Sequence, residues 1–199
     1  MVRHGETEWN RLRLVLGGNS DTALNENGEQ QAQSLALRLK SERIQAIYSS
    51  PLCRSLDTAR AIARHHRMEV GIEPDLAELN LGELEGTPID KLGKSFDELL
   101  IISRQGETLP RVPGGESLRE VQQRAWSALQ RIVSQYPDGV IVVVSHYFTI
   151  LTIICSVLNL PLSHIGRLRL VTGSIGALIF DENAPRLVQF NDTCHLKAD

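Results

Sequence analysis

The first ten residues contain the side chains that phosphate chemistry requires. Arg3, His4 and Gly5 follow one another directly. A neutral histidine is a nucleophile near pH 7, an arginine carries a permanent charge on a fork that fits phosphate oxygens, and a glycine lets the backbone approach a ligand closely. A strand end with surface charges would have the same composition, so both interpretations are open for this stretch alone.

Two other residues, much further along the chain, favour the interpretation as a phosphate site. Arg54 and His146 each come after a run of residues typical of a β-strand, at 44–48 and 140–144. In open α/β sheets ligands bind beyond the carboxyl ends of the strands, and the helix that contains Arg54 would direct its anion-attracting N-terminus to the same edge. Taken singly, Arg54 could be a surface cation and His146 a buried core residue. Taken together, these residues predict a phosphate pocket that contains a nucleophile.

Such a pocket also needs an acid, because a leaving alkoxide has to be protonated. The stretch 76–86, with the sequence LAELNLGELEG, contains three candidates, Glu78, Glu83 and Glu85. Their residue type and spacing do not distinguish them.

The elements that position these residues alternate between strands and helices, which predicts a three-layer α/β/α sandwich with a mostly parallel central sheet. Strands are predicted at 2–4, 44–48, 70–72, 140–144, 176–180 and 186–190, the last two as an antiparallel edge pair. Helices are predicted from the loop 24–28 to Leu39, at 50–67 with Ser50 as N-cap and Pro51 as first residue, at 96–102, at 118–133 with Ser117 as N-cap, and at 147–160. We expect one domain over residues 1–199, with an irregular insertion at 87–115 that covers the site.

Composition narrows the function classes. A net charge of −3 and a pI near 6.1 argue against a nucleic-acid binder with a broad basic surface. Cys53, Cys155 and Cys194 show no CxxC spacing, and no signal-peptide pattern is visible, so we expect reduced thiols in a cytoplasmic protein. The uncharged stretch 140–160 is interrupted by Ser145-His146, which favours a buried strand and helix over a membrane span.

The full set of motifs resembles the histidine phosphatase superfamily, the phosphoglycerate-mutase-like proteins. The resemblance extends from Met1 to about His195. It rests on Arg3-His4-Gly5-Glu6-Thr7 with Trp9-Asn10; Gly18, Asp21, Leu24, Gly28 and Gln31-Ala32; Ser49-Ser50-Pro51-Leu52 with Arg54 and Thr58-Ala59; Leu76 and Glu78 with Gly82 and Glu85-Gly86; Gly114-Gly115-Glu116-Ser117; and Val144-Ser145-His146.

The resemblance implies a role for each site residue. It makes His4 the nucleophile that becomes a phosphohistidine and Glu78 the proton donor. Arg3, Arg54 and His146 would hold the phosphoryl oxygens, and Asn10 would help to seat the phosphate. The implied reaction is metal-independent and cofactor-independent hydrolysis of a small-molecule phosphomonoester. We expect no nucleic-acid or membrane partner, and the fold is compatible with a homodimer.

Two other functions remain open, a phosphoglycerate mutase primed by 2,3-bisphosphoglycerate and a non-catalytic protein that binds a phosphate ligand. The segment 87–115 is short and contains no tryptophan, which argues against the longer cover of the glycolytic mutases. Only two residues precede Arg3, so either the true start lies upstream of Met1 or the first strand is truncated, and truncation would leave His4 near a fraying end.

Other side chains have two interpretations each. Arg104 and Arg111 would meet a second anionic group or remain loop surface charges. The C-terminal segment 191–196 resembles that of cofactor-independent phosphoserine phosphatases and α-ribazole phosphatases. In it, His195 would lie near the substrate or at a dimer interface, or would have neither role.

Overall fold

A computed structural model describes residues 1–92, 111–182 and 184–196. In these residues a six-stranded sheet has the strand order β3-β2-β4-β1-β5-β6. The first four strands in this order pair in parallel, and β5 and β6 are antiparallel to their neighbours. The strands are β1 (Val2–Arg3), β2 (Ile44–Ser49), β3 (Val70–Ile72), β4 (Val140–Ser145), β5 (Ile175–Ile179) and β6 (Arg186–Asp192). The predicted mostly parallel α/β sheet is confirmed.

The helices of the described residues alternate with these strands. They are α1 (Glu8–Arg11), α2 (Glu26–Leu39), α3 (Cys53–His66), α4 (Leu118–Ser134) and α5 (Tyr147–Val157). Single 3₁₀ turns lie at Pro74–Leu76, Gly82–Leu84, Ile89–Leu92, Leu162–Arg167 and Cys194–Leu196. Helix α4 begins with the predicted capping box, in which the Ser117 hydroxyl and the Glu120 side chain bond each other's backbone amides. The predicted helix at 96–102 lies outside the described residues.

Strand β4 is buried on both faces, which explains its uninterrupted apolar sequence. Val142 and Val144 pack with Leu35 of α2 and Ile62 of α3. Val143 faces the opposite side, in a cluster that includes residues of α4 and α5. Within the residues that the structure describes, no helix is long and apolar enough to cross a membrane.

The start of α3 differs from the prediction. The helix begins at Cys53 with Leu52 as N-cap, not with Ser50 and Pro51. The Ser50 hydroxyl lies 2.7 Å from the His146 ring, and Asp21 Oδ1 accepts a bond from the Cys53 amide at 2.7 Å instead. A distant carboxylate therefore caps α3 and leaves the nearby serine for the site.

Helices α1, α2 and α5 also differ from the predictions. Helix α1 was not predicted, and α2 begins inside the predicted loop, because the Asn25 side chain accepts a bond from the Gly28 amide and acts as N-cap. Helix α5 ends at Val157 rather than at residue 160. Asn159 then adopts a positive φ of 56°, which breaks the helix two residues before Pro161.

Strand β1 occupies the middle of the sheet although it is only two residues long. It pairs with β4 at Val144 and Ser145 and with β5 at Ile175. Beyond it, the Met1 ammonium group and the Met1 carbonyl both bond Gly176, each at 2.8 Å. The expectation that this end frays is not met, because two neighbouring strands hold it.

A cleft of about 440 Å³ continues the line of β1 away from the site. The cleft is lined by Met1, by residues 140–143 of β4, and by 175–180 of β5 and its end. Leu39 of α2 lines it, and Leu129 and Val133 of α4 do so as well.

Candidate active site

Four predicted site residues are buried together at the carboxyl ends of β1 and β4. His4 and Glu78 are 2% and 4% exposed, and Arg54 and His146 are fully buried. The rings of His4 and His146 lie 5.1 Å apart between centroids. Burial of an arginine, a glutamate and two histidines at one sheet edge indicates a site rather than a structural core.

The backbone of His4 is held from three directions. Its amide donates to the Ser145 carbonyl at 3.1 Å, and its carbonyl accepts from the Gly173 amide at 3.0 Å. The next amide, that of Gly5, donates to the Thr58 hydroxyl at 3.1 Å. A Cβ atom on Gly5 would lie 2.4 Å from the Gly28 carbonyl oxygen, so this loop and α2 are in direct backbone contact.

The His4 ring has its nucleophilic nitrogen defined by a hydrogen bond. Nδ1 lies 2.7 Å from the Gly5 carbonyl oxygen. A carbonyl only accepts, so Nδ1 carries the proton and Nε2 of the neutral ring keeps its lone pair. Burial, and then the charges of Arg54 and Arg3, hold the His4 pKa well below its ordinary value. The ring is therefore a neutral nucleophile at pH 7.

The two arginines are fixed by main-chain carbonyls. Arg54 donates from Nη1 to Ser20 at 2.6 Å and from Nη2 to Gly17 at 3.0 Å. Arg3 donates from Nη1 to Leu170 at 2.6 Å, and its guanidinium lies 5.1 Å from the Tyr147 ring centroid. Neither arginine is neutralised by a direct ion pair in the described residues. Their charge therefore remains directed at the site.

His146 is positioned by two serine hydroxyls. Its Nε2 lies 2.7 Å from Ser50 Oγ and 3.2 Å from Ser55 Oγ. The Leu52 amide donates to Ser50 Oγ, which leaves the Ser50 proton for His146 Nε2. Burial first, and then the charge of Arg54, lower the His146 pKa well below its ordinary value. We infer that the neutral ring carries its proton on Nδ1.

Unpartnered donors converge on these same residues. Seven buried side-chain polar atoms of the described residues make no hydrogen bond. Three of them are Arg3 Nε, Arg54 Nε and His146 Nδ1. Each unsatisfied buried donor costs about 1–3 kcal/mol, so three from one cluster indicate a site built to receive an anion.

Glu78 lies at the N-terminus of α5. Its Oε1 accepts from the Leu79 amide at 2.8 Å and the Thr149 amide at 3.2 Å, and its Oε2 accepts from the Phe148 amide at 3.2 Å. Burial raises the Glu78 pKa, while these bonds and the two arginines partly oppose the rise. The carboxyl group is thus biased toward a protonated form beside Arg3 and Arg54.

The other two glutamates of the acidic stretch have different environments. Glu83 is exposed. Glu85 accepts from the amides of Leu81 and Asn19 and from the Ser20 hydroxyl, so it holds the loop whose carbonyls bind Arg54. Of the three candidates, only Glu78 is buried with the site.

The remaining candidates are not joined to this cluster by hydrogen bonds. Asn10 uses its side-chain oxygen in a capping box with Thr7 at the start of α1. Arg111 is exposed and bonds the Gly115 carbonyl and Glu120, and Arg104 lies outside the described residues. His195 Nε2 lies 2.9 Å from the carbonyl oxygen of Gly173, the same residue whose amide donates to the His4 carbonyl.

Several partners could not be found from residue type. Ser50 and Ser55 support His146 because β2 and α3 bring them under its ring, and three carbonyls from two loops, at 17–20 and at Leu170, hold the arginines. The sequence signals for this set were the position of Ser49-Ser50 after a predicted strand and their place in one of the family motifs. In residues 1–92, 111–182 and 184–196, no group of three His, Cys, Asp or Glu side chains is placed to hold a metal ion.

Comparison with known families gives a match over nearly the whole chain. The family model described as histidine phosphatase superfamily (branch 1) matches residues 1–193. A protein of Erwinia tasmaniensis named probable phosphoglycerate mutase GpmB is 37% identical over 175 residues, which cover 88% of this chain and 81% of the relative. The protein of the same name from Escherichia fergusonii is 36% identical over 183 residues, 92% of this chain and 85% of that one.

Solved structures with the same fold include phosphatases. Phosphoserine phosphatase from Entamoeba histolytica, in complex with phosphoserine, has a TM-score of 0.88 and 33% identity, covering 98% of this chain and 97% of that chain. A mycobacterial glucosyl-3-phosphoglycerate phosphatase in complex with VO3 has a TM-score of 0.88 and 27% identity, covering 97% of this chain and 98% of that chain.

Proposed function

The chain belongs to the histidine phosphatase superfamily, and from this premise we propose that it hydrolyses a small-molecule phosphomonoester through a phosphohistidine on His4. Phosphoryl transfer needs an aligned nucleophile, cations for the equatorial oxygens and a proton for the leaving group. In this proposal His4 is the nucleophile. Arg3 and Arg54 supply the cations, with a further N–H donor from His146. Glu78 supplies the proton.

In the first step His4 Nε2 attacks phosphorus and the bond from phosphorus to the ester oxygen breaks. The N–H groups of Arg3, Arg54 and His146 bind the three equatorial oxygens, which carry the spread charge. Glu78 gives its proton to the leaving oxygen, so the alcohol departs neutral. The negative charge of a bound phosphate would raise the Glu78 pKa further, which favours this protonated form.

In the second step the deprotonated Glu78 accepts a proton from water as the water oxygen attacks phosphorus. The bond from phosphorus to His4 Nε2 breaks, and inorganic phosphate leaves with the ring neutral again. The same carboxyl group therefore acts first as acid and then as base. The fixed guanidinium charges do the work of charge stabilisation, so the proposed route has no metal ion in it.

The observation that carries this proposal is that three hydrogen-bond donors without partners are buried in the same cluster as the neutral His4 ring. Arg3 Nε, Arg54 Nε and His146 Nδ1 are buried without partners, and the His4 ring lies 5.1 Å from that of His146. An oxyanion is the ligand that would satisfy all three donors at once. The phosphatases among the solved relatives support the same reaction class.

The test is release of inorganic phosphate from p-nitrophenyl phosphate and an alkyl phosphomonoester panel, with EDTA present. We expect turnover that survives EDTA, is abolished in His4→Ala, and is unchanged in the matched control His65→Ala on the exposed end of α3. Alkaline quenching of the wild type should trap an acid-labile phosphoryl label that His4→Ala lacks. Turnover by the wild type that persists in His4→Ala would reject the mechanism.

A second candidate, phosphoglycerate mutase, is favoured by the name of the curated relatives at 36–37% identity. A mutase has to keep water from the phosphoenzyme while the intermediate is held. Phosphorus NMR with 3-phosphoglycerate and a 2,3-bisphosphoglycerate primer separates the two. Conversion to 2-phosphoglycerate faster than release of inorganic phosphate would replace our proposal with this one.

A further inference from the structure

The guanidinium of Arg124 on α4 uses all five of its N–H donors close to Glu78. Nε and Nη2 bond the Glu116 carboxylate at 2.8 and 2.9 Å. Nη1 bonds the carbonyls of Asp75 and Ala77 at 2.7 and 2.8 Å, and Nη2 also bonds the Glu78 carbonyl at 3.1 Å. The Arg124 side chain is only 19% exposed and has no N–H donor left for solvent or ligand. It therefore holds neighbouring segments together and is not a free surface charge.

The same group of bonds fixes the chain on both sides of Glu78. Before it, Arg124 gathers the carbonyls of Asp75 and Ala77. After it, Glu116 Oε2 accepts from the Asn80 amide at 3.0 Å, and the Glu116 amide donates to the Asn80 carbonyl at 2.9 Å. The turn that carries the carboxyl group is therefore held to α4 and to the segment before it.

We propose that Arg124, with Glu116 as its counter-ion, is a positioning residue that holds the Glu78 carboxyl at the leaving-group side of the site. This inference rests on the proposed phosphatase function. Arg124 contacts main-chain oxygens of the turn and not the Glu78 carboxyl. Its effect on proton transfer therefore comes through the position of the turn, which a shift of about 1 Å would spoil.

A lysine cannot replace this arginine. An ammonium group has three donors from one point, whereas the planar guanidinium reaches three carbonyls and a bidentate carboxylate at once. Arg124→Lys keeps the charge beside Glu116 and loses the geometry. It is therefore a sharper variant than removal of the side chain, which would leave Glu116 unpaired.

The leaving group of the substrate separates positioning of the acid from general damage. Protonation matters greatly for an alkoxide and little for p-nitrophenolate, which is stable as an anion near neutral pH. We expect Arg124→Lys to lower kcat/KM, which reports formation of the phosphohistidine, at least about tenfold more for an alkyl phosphomonoester than for p-nitrophenyl phosphate, as Glu78→Gln should. KM for both substrates should change little, because the phosphate-binding arginines are untouched.

One control and a second test variant accompany Arg124→Lys. Arg131 lies on the same helix and bonds the side chains of Glu73 and Asp75, so Arg131→Lys tests loss of an arginine next to this segment. We expect it to match the wild type with both substrates. Glu116→Gln is the second variant, since it weakens the clamp from its other side and should show the same leaving-group bias in the event that Arg124→Lys does not fold.

A readout without turnover separates failure of this inference from failure of the proposed function. Carbon-13 NMR titration of the Glu78 carboxyl should show its pKa falling toward the ordinary value in Arg124→Lys, because a displaced turn admits water, and not in Arg131→Lys. Equal losses with both substrates, or an unchanged titration, would overturn the positioning role. A wild type that hydrolyses neither ester would reject the phosphatase function, and the titration would still decide whether Arg124 positions the turn.

Discussion

Glu78 Oε1 accepts hydrogen bonds from both the backbone amide and the side-chain hydroxyl of Thr149, at 3.2 and 3.3 Å. The hydroxyl shares its single proton between Glu78 Oε1 and the Ala77 carbonyl, which lies 2.7 Å away. One threonine in the first turn of α5 thus touches both the proposed acid and the chain that carries it. Donors of this kind stabilise the charged carboxylate, as the Leu79 and Phe148 amides do in opposing the effect of burial on the Glu78 pKa.

Thr149→Val is expected to move the alkaline limb of the pH–rate profile upward, by a fraction of a unit to about one unit. The valine keeps the shape and removes a donor to the ionised form of Glu78, so the Glu78 pKa rises and the acid stays protonated to higher pH. The measurement is kcat against pH with an alkyl phosphomonoester. A limb that moves to lower pH would contradict the assignment of Glu78 as the acid.

The stability of the fold is expected to fall as the pH drops below about 6.5, because His4 and His146 have lowered folded-state pKa values. The unfolded chain then binds protons that the folded chain excludes, at about 1.4 kcal/mol per pH unit for each proton. Urea unfolding of His4→Gln and wild type from pH 5 to 8 measures the difference. A wild-type slope no steeper than that of His4→Gln would contradict the burial of a neutral His4.

Inorganic phosphate is expected to raise the melting temperature by several degrees when present at about 100 times its dissociation constant. The ion would satisfy the orphan donors of Arg3, Arg54 and His146. Arg54→Met should lose this shift. Arg60→Met is the matched control, since Arg60 lies on the exposed side of the same helix and pairs with Asp57, and it should keep the shift.

The cleft beside β1 predicts that a designed extension of the chain would stabilise the sheet. Continuing the pairing of Val2 with Val144 and Ile175, three residues added before Met1 would lie between 140–142 of β4 and 177–179 of β5. Their side chains would alternate between Leu39 of α2 and Leu129 of α4, both of which line the cleft. A three-valine extension should therefore raise the free energy of unfolding more than a three-glycine extension does.

The glycine extension tests a separate effect. Burial lowers the pKa of the Met1 ammonium group from 8.0 to about 6. An unfolded chain takes up this proton first as pH falls, so stability is complete above pH 8 and declines toward pH 6, by about 2–3 kcal/mol in all. Both extensions replace the ammonium group by an amide and should remove this pH dependence. An unchanged slope between pH 6 and 8 would exclude the buried amino terminus as its source.

Sequence patterns were sufficient to predict the sheet and to place three of the site residues, His4, Arg54 and His146, at one of its edges. His4 and His146 follow strands directly, and in a parallel sheet the ends of such strands share one edge, so their meeting was predictable without long-range information. The membership predicted from the motifs, a histidine phosphatase enzyme, is confirmed at the level of the superfamily. The single-domain organisation, the absence of nucleic-acid and membrane partners, and the roles of all six site residues stay predictions; these residues are Arg3, His4, Asn10, Arg54, Glu78 and His146.

What the sequence could not provide depended on distant contacts. Glu78 and Glu85 have the same local composition, and only the fold brings one to α5 and the other to the loop that holds Arg54. The start of α3 was predicted wrongly for the same reason, since Asp21 arrives from 32 residues away. A local rule for caps cannot anticipate a serine that is taken by a histidine ring.

The close backbone contact between Gly5 and Gly28 has a stereochemical consequence. The loop that carries His4 has no space to move toward α2 and is bonded to β4 and to Gly173 on its other sides. A phosphoryl group on His4 would therefore be made and broken at one position, each time by in-line displacement. Two inversions at phosphorus return the original handedness, so a phosphorothioate monoester made chiral with two oxygen isotopes, hydrolysed in water of the third isotope, should yield inorganic thiophosphate with overall retention of configuration.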